Sequence, residues 1–262
     1  MKPLRRHQLV WLDEFAWYRI LASASLPSDR SQASQASQTS QASQASQTSQ
    51  ASQASQTSQA SQTSGFETAD CLAHWAQQRW PLVVTRQPAH TVAGLADGVL
   101  ALGLPAPARW GRQAISVTAS LSGVVRQGQF PFALEIGPRL PAAAQAGWAA
   151  LCERLARLGL PAQVYGSCGW QHLTGMNYLH AGSDIDLLIE VSTAAQADQV
   201  AALLLAAEAG PVRLDGELVF EDGASVAWRE WLRFRCGQAD RILVKRLRGA
   251  TLEDANTWLA TA

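Results

Sequence analysis

Two aspartates in the C-terminal half of the chain suit the binding of a divalent metal ion. Asp184 and Asp186 are separated by one residue at the start of a predicted strand, so their carboxylates project from the same face, about 6.6 Å apart. Two carboxylates that point together repel each other unless a cation lies between them. Because carboxylate oxygens favour Mg²⁺ or Mn²⁺ over Zn²⁺, the pattern predicts a magnesium or manganese site at Asp184 and Asp186.

A glycine and a serine upstream of the aspartates suit the binding of phosphate. Gly166 and Ser167 directly follow a short predicted strand, and 16 residues separate Ser167 from Asp184. A Gly-Ser turn that leads into a helix offers backbone N–H groups and a hydroxyl to an anion, and glycine allows the anion to approach the main chain closely. A phosphate site beside a metal site is the equipment of nucleotidyl transfer, in which metal ions neutralise a triphosphate and stabilise the leaving pyrophosphate.

A third carboxylate is expected to complete the metal site from a neighbouring strand. Asp215 and Glu217 share one face of the strand predicted over 212–220, on either side of Gly216. Either residue can serve, and the sequence leaves the choice between them open.

The elements around these residues alternate between helix and strand. From residue 141 onward the pattern predicts, in order, a helix over 141–158, a strand over 162–165, a helix or loop up to 180, a strand over 183–191, a helix over 193–209, a strand over 212–220, its hairpin partner over 224–234, a strand over 241–247 and a helix that begins at 251. This order indicates an α+β domain, here assigned to residues 140–262, in which helices flank a mixed sheet.

The N-terminal part, residues 1–139, is predicted to form a smaller α/β domain. Apolar runs at 80–84 and 113–117 indicate strands, and two helical segments flank an insertion. The insertion, residues 31–64, contains only Ser, Gln, Ala and Thr, in repeated Ser-Gln-Ala and Ser-Gln-Thr triplets. Since alanine is its only apolar side chain, burial cannot offset the entropy cost of ordering it, and we expect a disordered surface loop.

The charge balance restricts the classes of partner. Lysine plus arginine and aspartate plus glutamate each number 21, which argues against a surface built to bind nucleic acid or an anionic membrane. The charges are unevenly distributed, since residues 1–159 carry 13 basic and 8 acidic side chains whereas residues 160–262 carry 8 and 13. The sequence has no run of 18 apolar residues and no apolar signal core near its start, so we expect a cytoplasmic protein.

Longer motifs extend from these residues through most of the chain. They are Gly166-Ser167-Cys168-Gly169-Trp170-Gln171-His172-Leu173-Thr174-Gly175, Tyr178-Leu179, Ser183-Asp184-Ile185-Asp186-Leu187-Leu188, Asp215-Gly216-Glu217-Leu218, Asp222-Gly223, Ala227-Trp228-Arg229-Glu230 and, nearer the start, His7-Gln8-Leu9-Val10-Trp11-Leu12 and Trp80-Pro81-Leu82-Val83-Val84-Thr85-Arg86. Together they resemble the malonate decarboxylase holo-acyl-carrier-protein synthases, which are phosphoribosyl-dephospho-CoA transferases of the nucleotidyltransferase superfamily. The resemblance covers nearly the whole chain apart from the Ser-Gln insertion.

The resemblance implies a nucleotidyltransferase-like fold and a metal-dependent transferase. Such enzymes move the phosphoribosyl-dephospho-CoA group from 2′-(5″-triphosphoribosyl)-3′-dephospho-CoA to a serine of the acyl-carrier subunit of malonate decarboxylase and release pyrophosphate. Carried onto this sequence, it assigns catalysis and Mg²⁺ (or Mn²⁺) binding to Asp184 and Asp186, completion of the metal site to Asp215 or Glu217, and donor binding to Gly166, Ser167 and Lys245.

Other functions remain possible at this level. The same metal site would serve a nucleotidyltransferase that adenylylates a small molecule or a protein from ATP, and only the stretch from Trp170 to Gly175 favours the CoA-type donor. A non-catalytic nucleotidyltransferase-like binding module would be expected to lack a carboxylate, whereas all the expected ones are present. A citrate lyase carrier accepts the same prosthetic group in a sister pathway, and the malonate-type motifs alone favour the malonate decarboxylase carrier.

Overall fold

The computed structural model of the chain describes residues 4–24, 67–87, 98–208 and 211–254. These residues form a mixed α and β structure with two separate β-sheets. The predicted disordered insertion over 31–64 lies outside the described residues. Within the described ranges, no helix combines the length and the apolar character needed to cross a membrane.

The first sheet is antiparallel, with the strand order β4-β3-β2-β1-β5. Its strands are β1 (Leu9–Leu12), β2 (Leu82–Val84), β3 (Val99–Pro105), β4 (Ala114–Ser120) and β5 (Val124–Gly128), and its helices are α1 (Glu14–Ala24) and α2 (67–78). The Asp13 carboxylate starts α1 by accepting a hydrogen bond of 2.7 Å from the backbone N–H of Ala16. The strands predicted at 80–84 and 113–117 and the helices on both sides of the insertion are confirmed.

One hydrophobic core joins both helices to this sheet. Trp17 of α1 and Trp75 of α2 are buried in the same cluster as Leu82 and Leu100 of the strands. The indole N–H of Trp75 donates a hydrogen bond of 2.8 Å to the Pro81 carbonyl, so its burial leaves no polar group without a partner. This core therefore packs α1 and α2 against the first sheet.

The second sheet is mixed, with the strand order β11-β10-β9-β8-β7-β6, and only its β7–β8 pair is parallel. Its strands are β6 (Gln163–Tyr165), β7 (Ile185–Glu190), β8 (Leu214–Val219), β9 (Ser225–Ala227), β10 (Arg241–Arg246) and β11 (Gly249–Asp254). Its helices are α3 (Ala133–Ile136), α4 (Ala142–Arg157), α5 (Gly166–Thr174), α6 (Ala194–Ala207) and α7 (Trp228–Arg235). The predicted mixed sheet with flanking helices is confirmed.

The two faces of β7 have different roles. Ile185, Leu187 and Ile189 are buried in a core shared with α4, α6 and α7, as their alternation predicts. Asp186 and Leu188 consequently point to the opposite face, which lies toward the first sheet. Asp186 thus lies on the face of the second sheet that α4, α6 and α7 leave uncovered.

The segment predicted as the hairpin partner over 224–234 is mostly helical, so that prediction is wrong beyond residue 227. Strand β9 ends at Ala227, and α7 continues from Trp228 to Arg235. Trp228, Trp231 and Phe234 recur at every third residue and are all buried. A helix brings side chains at this spacing to one face, whereas a strand would direct Trp231 away from the other two.

The prediction of a helix that begins at residue 251 is also wrong, because this segment belongs to strand β11. It pairs with β10 throughout, from Arg246 opposite Gly249 to Arg241 opposite Asp254. An ion pair between Arg246 and Glu253 adds a cross-strand contact. A two-residue turn, residues 247–248, brings the chain back so that β11 pairs with β10 along its whole length. A helix that starts at residue 251 would leave that edge of β10 unpaired.

Candidate active site

The parallel pairing of β7 and β8 brings the predicted carboxylates together. Asp186 lies directly opposite Asp215 in the register of the two strands. Asp184 immediately precedes β7, where the backbone N–H of Ile185 donates to the Arg213 carbonyl (3.0 Å) and ties the two strand starts together. Asp184 and Asp186 therefore meet Asp215, which is distant from them in sequence, at the beginning of β7 and β8.

Nearby arginines offset the charge of this acidic group only in part. Burial, followed by the charges of Asp215, Asp184 and Glu217, raises the pKa of Asp186 from 3.8 to about 6. Asp184 Oδ1 is buried and has no hydrogen-bond partner, and its ion pair with the exposed Arg213 is long, at 3.5 Å from Nε to Oδ1. All the donor atoms are carboxylate oxygens, which suits Mg²⁺ or Mn²⁺. Within the described ranges, no three side chains of metal-binding type already stand in coordinating geometry.

Helix α5 points its N-terminus at this group. It begins at Gly166, directly after β6, and Tyr165 of β6 pairs with Asp186 of β7. Gly166 has φ +59°, and a Cβ atom there would lie 1.9 Å from Asp186 Oδ2. Glycine is therefore required both for the turn and for the close approach of the carboxylate to the helix start. Gly166 and Ser167, predicted to bind phosphate, are the first two residues of the helix.

We expect Gly166→Ala to lower the turnover rate strongly and the free energy of unfolding only modestly. The added methyl group must displace the flexible Asp186 carboxylate, and misplacing a catalytic group by about 1 Å can cost 10²-fold in rate. The positive φ adds a stability loss of about 1–2 kcal/mol. Gly175→Ala at the other end of α5 is a matched control, since Gly175 has φ +71° but a Cβ added there would meet no atom within 4 Å. Turnover and urea denaturation of both variants test this expectation, and equal activity losses would contradict it.

Glu217 is part of a separate, basic group. Its side chain is 5% exposed and accepts hydrogen bonds from Lys245 Nζ (2.8 Å) and Ser225 Oγ (2.6 Å). From the N-terminal segment, Arg6 and His7 approach its Oε2 atom to 3.5 Å and 3.4 Å. Burial opposes its ionisation, but the contacts with His7, Arg6 and Lys245 outweigh burial and lower the pKa of Glu217. The ammonium of Lys245, predicted to bind the donor, is thus held by Glu217.

The N-terminal residues of the site are not among those that the sequence motifs predict. His7 has φ 62°, a conformation that residues other than glycine rarely adopt, and its ring lies 4.6 Å from the Tyr165 ring. Strained backbone of this kind is common at functional sites. The one sequence feature that points to these residues is the basic run Arg5-Arg6-His7 ahead of β1. Its spacing does not indicate that Arg6 and His7 contact Glu217 on β8.

Two cavities open on this face, and His7 lines both. The larger, of about 370 Å³, extends from Gly166, Ser167 and Asp186 toward the first sheet. The smaller, of about 190 Å³, is lined by Arg5 and Arg6 among others. The site therefore lies between the two sheets and uses residues from both halves of the chain.

The fold and site define a two-sheet α/β protein with an acidic group facing a helix N-terminus. Residues 5–130 match the sequence profile of the phosphoribosyl-dephospho-CoA transferase MdcG N-terminal domain, and residues 133–256 match that of its C-terminal domain. The chain belongs to the phosphoribosyl-dephospho-CoA transferase family.

Individual relatives agree with the profiles. The chain is similar to a phosphoribosyl-dephospho-CoA transferase of Bradyrhizobium diazoefficiens, with 34% identity over 196 residues that cover 73% of this chain and 81% of the relative. A transferase of the same name from Xanthomonas campestris pv. campestris is 35% identical over 182 residues, 69% of this chain and 82% of the relative. One from Pseudomonas putida is 34% identical over 172 residues, 66% and 78% of the two chains. No solved structure matches the chain.

Proposed function

We propose that the protein transfers the phosphoribosyl-dephospho-CoA group from 2′-(5″-triphosphoribosyl)-3′-dephospho-CoA to a serine of the acyl-carrier subunit of malonate decarboxylase. The observation that carries the proposal is the acidic group of Asp184, Asp186 and Asp215 facing the start of α5, in a chain of this family. The mixed sheet with its flanking helices and this site is compatible with a nucleotidyltransferase-like fold, as the sequence motifs predict.

The acidic group is proposed to hold Mg²⁺ or Mn²⁺ through Asp184, Asp186 and Asp215. The raised pKa of Asp186 and the buried Oδ1 of Asp184, which accepts no hydrogen bond, support this assignment. Glu217 is the weaker candidate for the third ligand, because Lys245 and Ser225 already occupy its two oxygens. When bound, the metal would neutralise the triphosphate and lower the pKa of the attacking hydroxyl.

The residues of the chain bind and orient the donor. The free N–H groups at the start of α5, from Gly166 and Ser167, are placed to receive the phosphates that leave as pyrophosphate. The serine Oγ of the carrier bonds to the α-phosphorus while the bond from that phosphorus to the bridging oxygen breaks, and the hydroxyl proton passes to water. Arg6 and Lys245 together outnumber the single charge of Glu217, so this basic group would attract phosphate once a metal ion offsets the charges of the three aspartates.

The test is intact-mass spectrometry of the purified apo carrier subunit after incubation with the protein, Mg²⁺ and the triphosphoribosyl donor. We expect a mass gain equal to the phosphoribosyl-dephospho-CoA group, and none when EDTA replaces Mg²⁺. A parallel reaction with ATP tests the alternative of adenylyl transfer. An adenylyl adduct from ATP without any adduct from the CoA-type donor would contradict the proposal, and so would the absence of both adducts.

A citrate lyase carrier should be offered in the same experiment. The resemblance favours the malonate decarboxylase subunit, so we expect that subunit to be modified faster at equal concentration. The excess of basic residues in the first 159 positions would favour an acidic carrier through long-range attraction. Preferential modification of the citrate lyase carrier would keep the reaction but change the partner.

A further inference from the structure

We propose that the 370 Å³ cavity between the two sheets binds the adenosyl part of the donor. The inference rests on the proposed function and goes beyond it by assigning a place to the part of the donor that does not react. The cavity, called the inter-sheet cavity below, is lined by His7, Val83, Thr85, Gly103, Leu104, Pro105, Ala114, Ile115, Ser116, Phe130, Tyr165, Gly166, Ser167, Trp170 and Asp186.

The inter-sheet cavity starts at the reacting groups. Gly166, Ser167 and Asp186 lie at one end of it, and the remaining lining residues come mainly from the first sheet and from aromatic side chains. A donor whose triphosphate lies at the start of α5 therefore has this space next to its sugar. The cavity volume falls within the range of about 300–1,000 Å³ that is typical of small-molecule sites.

One wall of the cavity is a flat area of the first sheet. Val83, Gly103 and Ser116 are directly opposite one another across β2, β3 and β4, so they form one row on one face. The side chains of the row are small, and Gly103 in the middle has none. A Cβ at Gly103 would lie 3.0 Å from the Thr85 Cγ2 atom, so a side chain at this position would disturb the wall. A flat wall of this kind suits a planar ring.

Other lining residues of the cavity are aromatic. Phe130 and Trp170 meet at 89° with centroids 5.4 Å apart, and Tyr165 lies beside Phe130 at 6.4 Å. Aromatic side chains bind nucleobases by stacking and edge contacts. Away from His7 and Asp186 the lining carries no ionisable group other than the Tyr165 phenol. This composition favours a neutral heterocycle over a phosphate.

Two hydroxyl groups on the sheet wall can contact the edge of a base. Thr85 Oγ1 donates to the Ala101 carbonyl (3.2 Å), so its lone pairs remain available to accept a hydrogen bond. Ser116 is exposed and lines the cavity on the edge strand β4. A few polar groups within an apolar lining are typical of sites that fix the orientation of a ligand. A purine nucleoside satisfies the volume, the flat shape and the polar edges together.

The test fills the cavity from β4. Ser116→Trp places a large side chain in the cavity, and Thr118→Trp is a matched control on the same strand and face, outside the lining. We expect Ser116→Trp to raise the KM for the donor about tenfold or more with little change in kcat, since base stacking is typically worth that much. Thr118→Trp should match the wild type. Ser116→Leu gives an intermediate effect and a second variant should the tryptophan prevent folding.

Calorimetric titration separates this inference from the proposed function. The probes are dephospho-CoA, adenosine 5′-monophosphate and pantetheine, none of which requires catalysis. We expect the first two to bind the wild type and to lose affinity in Ser116→Trp. Unchanged binding of dephospho-CoA in a folded Ser116→Trp protein, or a loss confined to pantetheine, would overturn the inference even if transfer occurs. Lack of transfer by a wild-type protein that binds dephospho-CoA in the cavity would instead overturn the proposed function.

Discussion

Asp186→Asn is expected to reduce transfer of the prosthetic group by about 10³-fold while making the metal-free protein more stable. The two effects share one cause. Asp186 is half-buried next to Asp215 and Asp184, so burial and repulsion make its negative charge oppose folding, and the proposed mechanism assigns the same charge to metal binding. Asparagine has nearly the same shape but no charge, so it removes the cost of burying and crowding that charge together with the metal ligand that the proposed mechanism requires. The measurement is carrier modification at saturating Mg²⁺, alongside thermal unfolding in EDTA.

The stability gain has a defined pH dependence. Folding raises the pKa of Asp186 from 3.8 to about 6, so the unfolded chain ionises this group before the folded protein does. Well below pH 3.8 the carboxyl is protonated in both states, and the wild type and the Asp186→Asn variant should be equally stable. Between pH 4 and 6 the wild type loses stability relative to the variant, and above pH 6 the difference stays constant. Saturating Mg²⁺ should shrink the difference at neutral pH.

A control variant isolates the effect of the site. Asp240→Asn removes one carboxylate from an exposed position just before β10, which β8 and β9 separate from β7, so it corrects for the general loss of a negative charge. Its stability should follow that of the wild type across the pH range. If Asp186→Asn were less stable than the wild type in EDTA at pH 7, the acidic group would not be under the repulsion inferred here.

Local patterns in the sequence predicted the elements that carry the acidic group. Periodicity placed β6, β7 and β8 within two residues of their observed starts, and the alternation of Ile185, Leu187 and Ile189 identified the buried face. Residue types and spacing were sufficient to predict these strands because each strand buries side chains at regular intervals along the chain. The aromatic residues of α7 were misassigned because both strands and helices accept them, and only the three-residue spacing of buried positions distinguishes the two.

Contacts between the halves of the chain could not be predicted in this way. Arg6 and Ser225 are 219 positions apart and share a hydrogen bond beside Glu217. No periodicity or motif spacing encodes such a pairing, because it depends on how the two sheets pack. The choice between Asp215 and Glu217 as the third ligand depends on this packing. Asp215 lies opposite Asp186, whereas Glu217 meets the basic N-terminal segment.

We expect Glu217→Gln to lower stability without changing Mg²⁺ binding, and Asp215→Asn to lower Mg²⁺ affinity without lowering stability. The comparison decides which of the two residues is the third metal ligand. Removing the charge of Glu217 leaves Lys245 and Arg6 without their buried partner, and breaking a buried ion pair in this way costs about 3–5 kcal/mol. We therefore expect Glu217→Gln to unfold at clearly lower urea concentration at pH 7 while it binds Mg²⁺ as the wild type does. Asp215→Asn should lose Mg²⁺ affinity and keep or gain stability in EDTA.

The pH dependence of the Glu217 variant supplies an independent check. Because folding lowers the pKa of Glu217, its contribution to stability is complete above the unfolded value of 4.5 and is progressively lost as the pH falls below it. The stability difference between the wild type and Glu217→Gln should thus be largest near neutral pH and shrink in acid. Its sign is opposite to that of Asp186→Asn, because Glu217→Gln is less stable than the wild type and Asp186→Asn is more stable. Unfolding curves in EDTA and Mg²⁺ titrations of both variants measure these effects. A Glu217→Gln protein of normal stability that fails to bind Mg²⁺ would make Glu217 the metal ligand and leave Asp215 without that role.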